Sequence, residues 1–150
     1  MSDVPYPQRH RLPREWYQQR GNTFHVVSRA FLFDAPFKGG LGDRVRKELT
    51  TQRSGAVNLL AGCLMPDHLH VIAQVVDEDV LHWLDRFKSY TTNLSWRFGR
   101  SGGLGQPDSW DRLIRPDEFA ATFEYVMRNP VSAGLVEEVE QWPWVASWVE

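Results

Sequence analysis

The chain has 150 residues, 42% of them hydrophobic, a formal net charge of −2 at pH 7 and a single cysteine. That length suits one domain with a proper core, and the composition is that of a soluble globular protein. The lone Cys63 excludes an internal disulfide framework and the cysteine-rich zinc modules; no apolar run is long enough to span a membrane, and the polar, Arg-bearing N-terminus lacks the apolar stretch of a signal peptide, so a cytoplasmic location is expected.

Residues 1–21 read as a basic N-terminal arm, irregular from Tyr6 to Gly21 because Pro5, Pro7 and Pro13 oppose a helix. Asn22 to Ala30 reads as a strand in which Phe24, Val26 and Ser28 alternate with His25, Val27 and Arg29. A Gly-rich loop, Gly39-Gly40-Leu41-Gly42, leads into a helix from about Asp43 to Arg53. Val57 to Met65 and Leu69 to Val76 form a hairpin through the Pro66-Asp67 turn. Asp79 to Phe98 is helical, with Val80, Trp83, Leu84 and Phe87 at helical spacing. Gly99 to Gln106 is a break, and Trp110 to Ile114 a short strand. Pro116 and Asp117 start a last helix through Phe119, Phe123 and Val126, which Asn129-Pro130 ends. Residues 137–150 are an aromatic tail. This order predicts one α+β domain over residues 1–150: a ferredoxin-like sandwich, its antiparallel sheet carrying helices on one face.

Charge is uneven along the chain. Arg9, Arg11, Arg14, Arg20 and Arg29 give the first part a basic excess, and Arg86, Lys88, Arg97 and Arg100 form a second group. Acidic residues gather at Asp77 to Asp79 and near Glu137 to Glu140. Such a distribution can hold an anionic ligand on one side. Neither copy of Gly-Gly-Leu-Gly has the Gly-Lys-Ser/Thr ending of a phosphate-binding P-loop, so nucleotide hydrolysis has no support.

The most informative run is Cys63-Leu-Met-Pro-Asp-His-Leu-His-Val-Ile-Ala-Gln74. Strand side chains alternate, so His68 and His70 share a face while Leu69, Val71 and Ala73 enter a core. Two imidazoles on one face make half a metal site. In the last helix Tyr125 and Asn129 are four residues apart and share a face. Tyr125 can then approach the histidines as a nucleophile, and the Asn129 amide can serve as a third ligand. Imidazole ligands admit Mn²⁺ or Zn²⁺, whereas an amide and water suit Mg²⁺ or Mn²⁺. Tyr90, near Lys88 and followed by Thr91 and Thr92, is a rival nucleophile.

Three segments carry a resemblance to the single-tyrosine HUH transposases, in particular the REP-associated tyrosine transposases. They are Cys63 to Ile72, Phe87 to Thr92, and Trp110 to Arg115 continuing to Tyr125-Val-Met-Arg-Asn-Pro-Val-Ser-Ala-Gly-Leu-Val136 and Gln141-Trp-Pro-Trp144. The resemblance implies His68, His70 and Asn129 as ligands of a divalent metal, Mg²⁺ or Mn²⁺, and Tyr125 rather than Tyr90 as the nucleophile. It implies cutting and rejoining of single-stranded or hairpin DNA, the REP-like palindromes, through a 5′-phosphotyrosine and a free 3′-OH, by a monomer or homodimer associated with the nucleoid. Plausible DNA contacts are Arg9, Arg11, Arg14 and Arg20 of the arm and Arg86, Lys88 and Arg97 of the middle helix, supplying affinity and salt sensitivity. Asp67 departs from the asparagine common before the first histidine. The alternative is a non-catalytic module that binds single-stranded or hairpin DNA without cutting it.

Overall fold

The computed structural model describes residues 11–30, 34–52 and 54–148. Its elements are α1 (Arg14–Gln18), β1 (Thr23–Ala30), α2 (Gly39–Thr51), β2 (Val57–Met65), β3 (His68–Val75), α3 (Val80–Trp96), β4 (Gly105–Ile114), α4 (Phe119–Met127), α5 (Asn129–Ser132) and β5 (Val145–Ser147). The sheet is antiparallel throughout, in the order β4-β1-β3-β2-β5. The first four strands and the two crossover helices α2 and α3 make the expected ferredoxin-like βαββαβ unit. Among the described residues, no helix is long and apolar enough to cross a membrane.

Alternation along the strands divides the core in two. Phe24, Val26, Leu69, Val71 and Ala73 point to one face and pack with Val45 and Leu49 of α2 and with Trp83, Leu84 and Phe87 of α3. The other face carries Ala61, Cys63, Met65 and Ile72, packed against Val126, Phe119 and Phe123 of α4. So α1 to α3 meet the expectation of one helical face, while α4 lies across the opposite face. A bulge in β2 makes this division possible: Leu59 pairs with Ala73, but Ala61 pairs with Ile72, so one extra residue is taken up. The bulge turns the small side chains of Ala61 and Cys63 onto the face of His70.

Several local expectations are corrected. The arm contains a helix, α1, because Pro13 stands at its N-cap, outside the turn where a proline would block a hydrogen bond. The Gly-rich segment is not a loop; α2 begins at Gly39. Its glycines leave room for aromatic rings, since a Cβ on Gly42 would come within 2.9 Å of the Trp144 ring and one on Gly40 within 2.8 Å of Phe98. Residues 105–109 extend the expected short strand into β4. The last expected helix, α4, does end just before Asn129-Pro130, at Met127, but a short further helix follows. The helix breaks at Arg128, and Pro130 enters α5 at a first-turn position where its missing N–H costs nothing. The aromatic tail adds β5 to the edge of β2, held by the Trp142 indole N–H donating to the Leu64 carbonyl at 3.0 Å.

Candidate functional site

The hairpin places the two histidines. Met65 pairs with His68 across Pro66-Asp67, and the turn is tied to the end of β1 by the Ala30 N–H donating to the Asp67 carbonyl at 2.9 Å. His68 and His70 share a face, as the alternation requires, and Leu69, Val71 and Ala73 are buried on the other. His68 Nε2 lies 3.0 Å from His70 Nε2. Behind them, His68 Nδ1 lies 2.6 Å from Asp67 Oδ1 and His70 Nδ1 lies 2.9 Å from His25 Nε2.

Burial disfavours the charged form of all three imidazoles. It pushes His70 down to about 2, and repulsion between its charged form and those of His68, His25 and Arg29 adds to the effect. It lowers His25 to about 4, with Arg112 adding to the effect. Burial also lowers His68, opposed by its hydrogen bond to Asp67. Neutral imidazoles are the form that binds a metal.

The donor set fits a divalent cation. His68 and His70 would hold such an ion through their Nε2 atoms, which stand 3.0 Å apart on one face. Both Nδ1 atoms are engaged from behind, as in most metal-binding histidines. Among the described residues no group of three or more His, Cys, Asp or Glu converges on one point, so oxygen donors such as an amide, water or phosphate would complete the shell.

Tyr125 stands over this pair. Phe119, Phe123 and Val126 anchor α4 to the sheet, and the adjoining Tyr125 ring meets His70 edge-on at 5.8 Å and His25 at 6.0 Å between centroids. It is 57% exposed, so a polymer can reach it from solvent. Tyr90 sits on α3, which packs on the opposite face of the sheet. Asn129 opens α5 one helical turn beyond Tyr125 and is half-buried.

Among the described residues, the expected basic contacts lie away from the histidine pair. Arg9 lies outside the described residues. Arg11 pairs with the buried Asp111, Arg14 with Asp79 at 3.4 Å, Arg20 with Asp77 at 3.6 Å and Arg86 with Glu78. Half-buried Lys88 and exposed Arg97 belong to α3 and its C-cap, on the far face. A hollow of about 470 Å³ lined by Arg14, Asp79, His82 and Arg86 lies there too. Different residues surround the histidines. Arg29 is the cross-strand partner of His68, and Arg112 the partner of His25. Trp110 meets the His25 ring edge-on at 5.0 Å. Alternation in β1 groups His25 with Arg29, but only the pairing of β1 with β3 sets them beside the histidine pair.

No protein-family model matches the chain. An Escherichia coli protein named REP-associated tyrosine transposase is 27% identical over 146 residues, covering 87% of this chain and 78% of that protein. A Haemophilus influenzae protein carrying a REP-associated tyrosine transposase name is 30% identical over 98 residues, covering 57% of this chain. The chain is thus similar in sequence to proteins named REP-associated tyrosine transposases. The match spans 56% of the length of the Haemophilus transposase. The fold agrees: a solved REP-associated tyrosine transposase bound to a REP hairpin superposes with a TM-score of 0.70 at 18% identity, over 93% of this chain and 82% of that one.

Proposed function

We propose that this protein cuts and rejoins single-stranded DNA at hairpin-forming repeats, with Tyr125 as the nucleophile and a divalent metal, Mg²⁺ or Mn²⁺, held by His68, His70 and the Asn129 amide. The observation that carries this reading is the Tyr125 ring centroid 5.8 Å from that of His70, whose Nε2 lies 3.0 Å from the Nε2 of His68. The names of the relatives and the hairpin in the solved neighbour support the same substrate class.

In the step proposed, the Tyr125 phenol gives up its proton to water, its oxygen attacks the scissile phosphorus, the P–O3′ bond breaks, and the 3′ oxygen takes a proton from water and leaves as a hydroxyl, so that no proton is gained or lost overall. The product is a 5′-phosphotyrosine, which keeps the ester for rejoining without ATP. When bound, the metal supplies Lewis-acid polarisation of the phosphate and eases ionisation of a phenol whose free pKa is about 10. The chain's own residues do the rest. Asp67 and His25 hold the histidines, α4 presents Tyr125, and the cationic side chain of Arg29 on the same sheet face favours a phosphate there, whereas Arg112 is paired with Glu118 at 2.6 Å.

The test is incubation with labelled hairpin oligonucleotides from the host genome's own repeats and Mg²⁺ or Mn²⁺, followed by a denaturing gel. A protein–DNA band that disappears with His68→Ala and with chelator is the expected result. Tight hairpin binding with no band under any metal would favour the non-catalytic binding module.

A further inference from the structure

Asp67, His68, His70 and His25 form one line of polar contacts, 2.6, 3.0 and 2.9 Å in turn. A neutral imidazole has one donor and one acceptor nitrogen, and an ionised carboxylate only accepts. The Asp67 carboxylate therefore receives the Nδ1–H of His68, which leaves a lone pair on His68 Nε2. Across from that lone pair stands His70 Nε2. Two facing lone pairs repel at this separation, so either a proton or a cation lies between them.

The two cases set His25 in opposite ways. With a proton, His70 carries it on Nε2, its Nδ1 accepts, and His25 donates from Nε2. With a cation, both Nε2 lone pairs face the ion, His70 donates from Nδ1, and His25 Nε2 must accept. We propose that His25 is a positioning residue of the metal centre: it holds His70 through Nδ1 and exchanges tautomer when a divalent cation replaces the proton between His68 and His70. This rests on the metal-centre reading above.

The protons balance. One moves from Nε2 to Nδ1 on His70 and one from Nε2 to Nδ1 on His25, and none is released. An imidazole suits this position because the same ring atom offers an N–H in one state and a lone pair in the other. A carboxylate there would only accept and would place a second negative charge in the core. The ring is also fixed: His25 is 5% exposed, with Trp110 against it at 5.0 Å and Tyr125 at 6.0 Å. One side chain thus touches both a proposed ligand and the proposed nucleophile.

Long-range ¹H–¹⁵N spectra of the histidine-labelled full chain, titrated with Mg²⁺ and separately with diamagnetic Zn²⁺, read the tautomers directly. The expected result is an exchange of roles between the ring nitrogens of both His70 and His25, with exposed His82 on α3 unchanged. Metal-dependent shifts at His68 and His70 with a constant His25 tautomer would overturn the proposal and leave the metal centre standing. No shift at His68 or His70 with either ion would remove the metal centre itself, and His25's role with it. As a second measurement, Mn²⁺ affinity by electron paramagnetic resonance should fall about 10- to 100-fold in His25→Leu. His25→Gln, whose side-chain carbonyl can accept from His70 Nδ1, should recover most of it. Unchanged affinity in a folded His25→Leu variant would also overturn the proposal.

Discussion

The two faces of one sheet are built to different ends by the same strands. On one face, Leu69, Val71, Ala73 and Phe24 pack under α2 and α3. Its principal buried polar cluster is closed: Asp111 accepts from the Tyr17 hydroxyl at 2.7 Å and pairs with Arg11. On the other face, the residues one step along each strand are His25, His68, His70 and Trp110, and α4 covers that surface while leaving Tyr125 more than half exposed. Hydrophobic burial stabilises the first face, at about 25 cal/mol per Å² of apolar surface. The second keeps imidazole nitrogens, whose charged form burial disfavours, beside an accessible hydroxyl. Period-two alternation lets both coexist without either being diluted.

The comparison breaks most sharply at Tyr125. Tyr125→Phe should reduce covalent DNA adduct to background while shifting stability by no more than about 0.5 kcal/mol, as expected for a side chain so exposed; gel assay and thermal melting check the two halves. Leu84→Ala, on α3 and 1% exposed, should do the reverse. It should cost about 2–5 kcal/mol in urea melts and leave adduct yield per folded molecule unchanged. Tyr17→Phe removes one partner of a fully buried carboxylate and should cost about 1–3 kcal/mol by the same melts.

Smaller effects sharpen the contrast. Burial pushes the Cys63 thiol up to about 12. A pKa raised in the folded state gives a stability contribution that is complete below the unfolded value near 9 and is lost as pH rises toward 12. Stability should therefore fall by up to about 1.4 kcal/mol per pH unit above 9 from this group alone, and Cys63→Ala should remove that slope in melts at pH 9 and 10. Arg86→Ala breaks an exposed pair with Glu78 and should change stability by less than about 1 kcal/mol.

The histidine pair and the core opposite it were legible in the sequence because alternation is local: residues two apart share a face whatever the strand pairs with. Val57–Met65 and the span of α3 followed from patterning in the same way. His25 was not legible as a partner of His70, although its place in the β1 alternation was visible. That partnership depends on β1 lying beside β3, a pairing between segments 45 residues apart in the chain. The ion pairing of the basic groups was hidden for the same reason. Asp77, Glu78 and Asp79 stand together in sequence, but only the fold brings Arg20, Arg86 and Arg14 to them. The tail failed differently: Pro143 among the tryptophans hid a three-residue edge strand that β2 templates.

The central claim is that chemistry resides on the histidine face, at one tyrosine. The most direct measurement is peptide mapping by mass spectrometry of the covalent adduct formed with a metal and a hairpin substrate. The account predicts a nucleotide-phosphate modification on the peptide containing Tyr125 and none on that containing Tyr90. Modification at Tyr90, on the opposite side of the sheet, would contradict it.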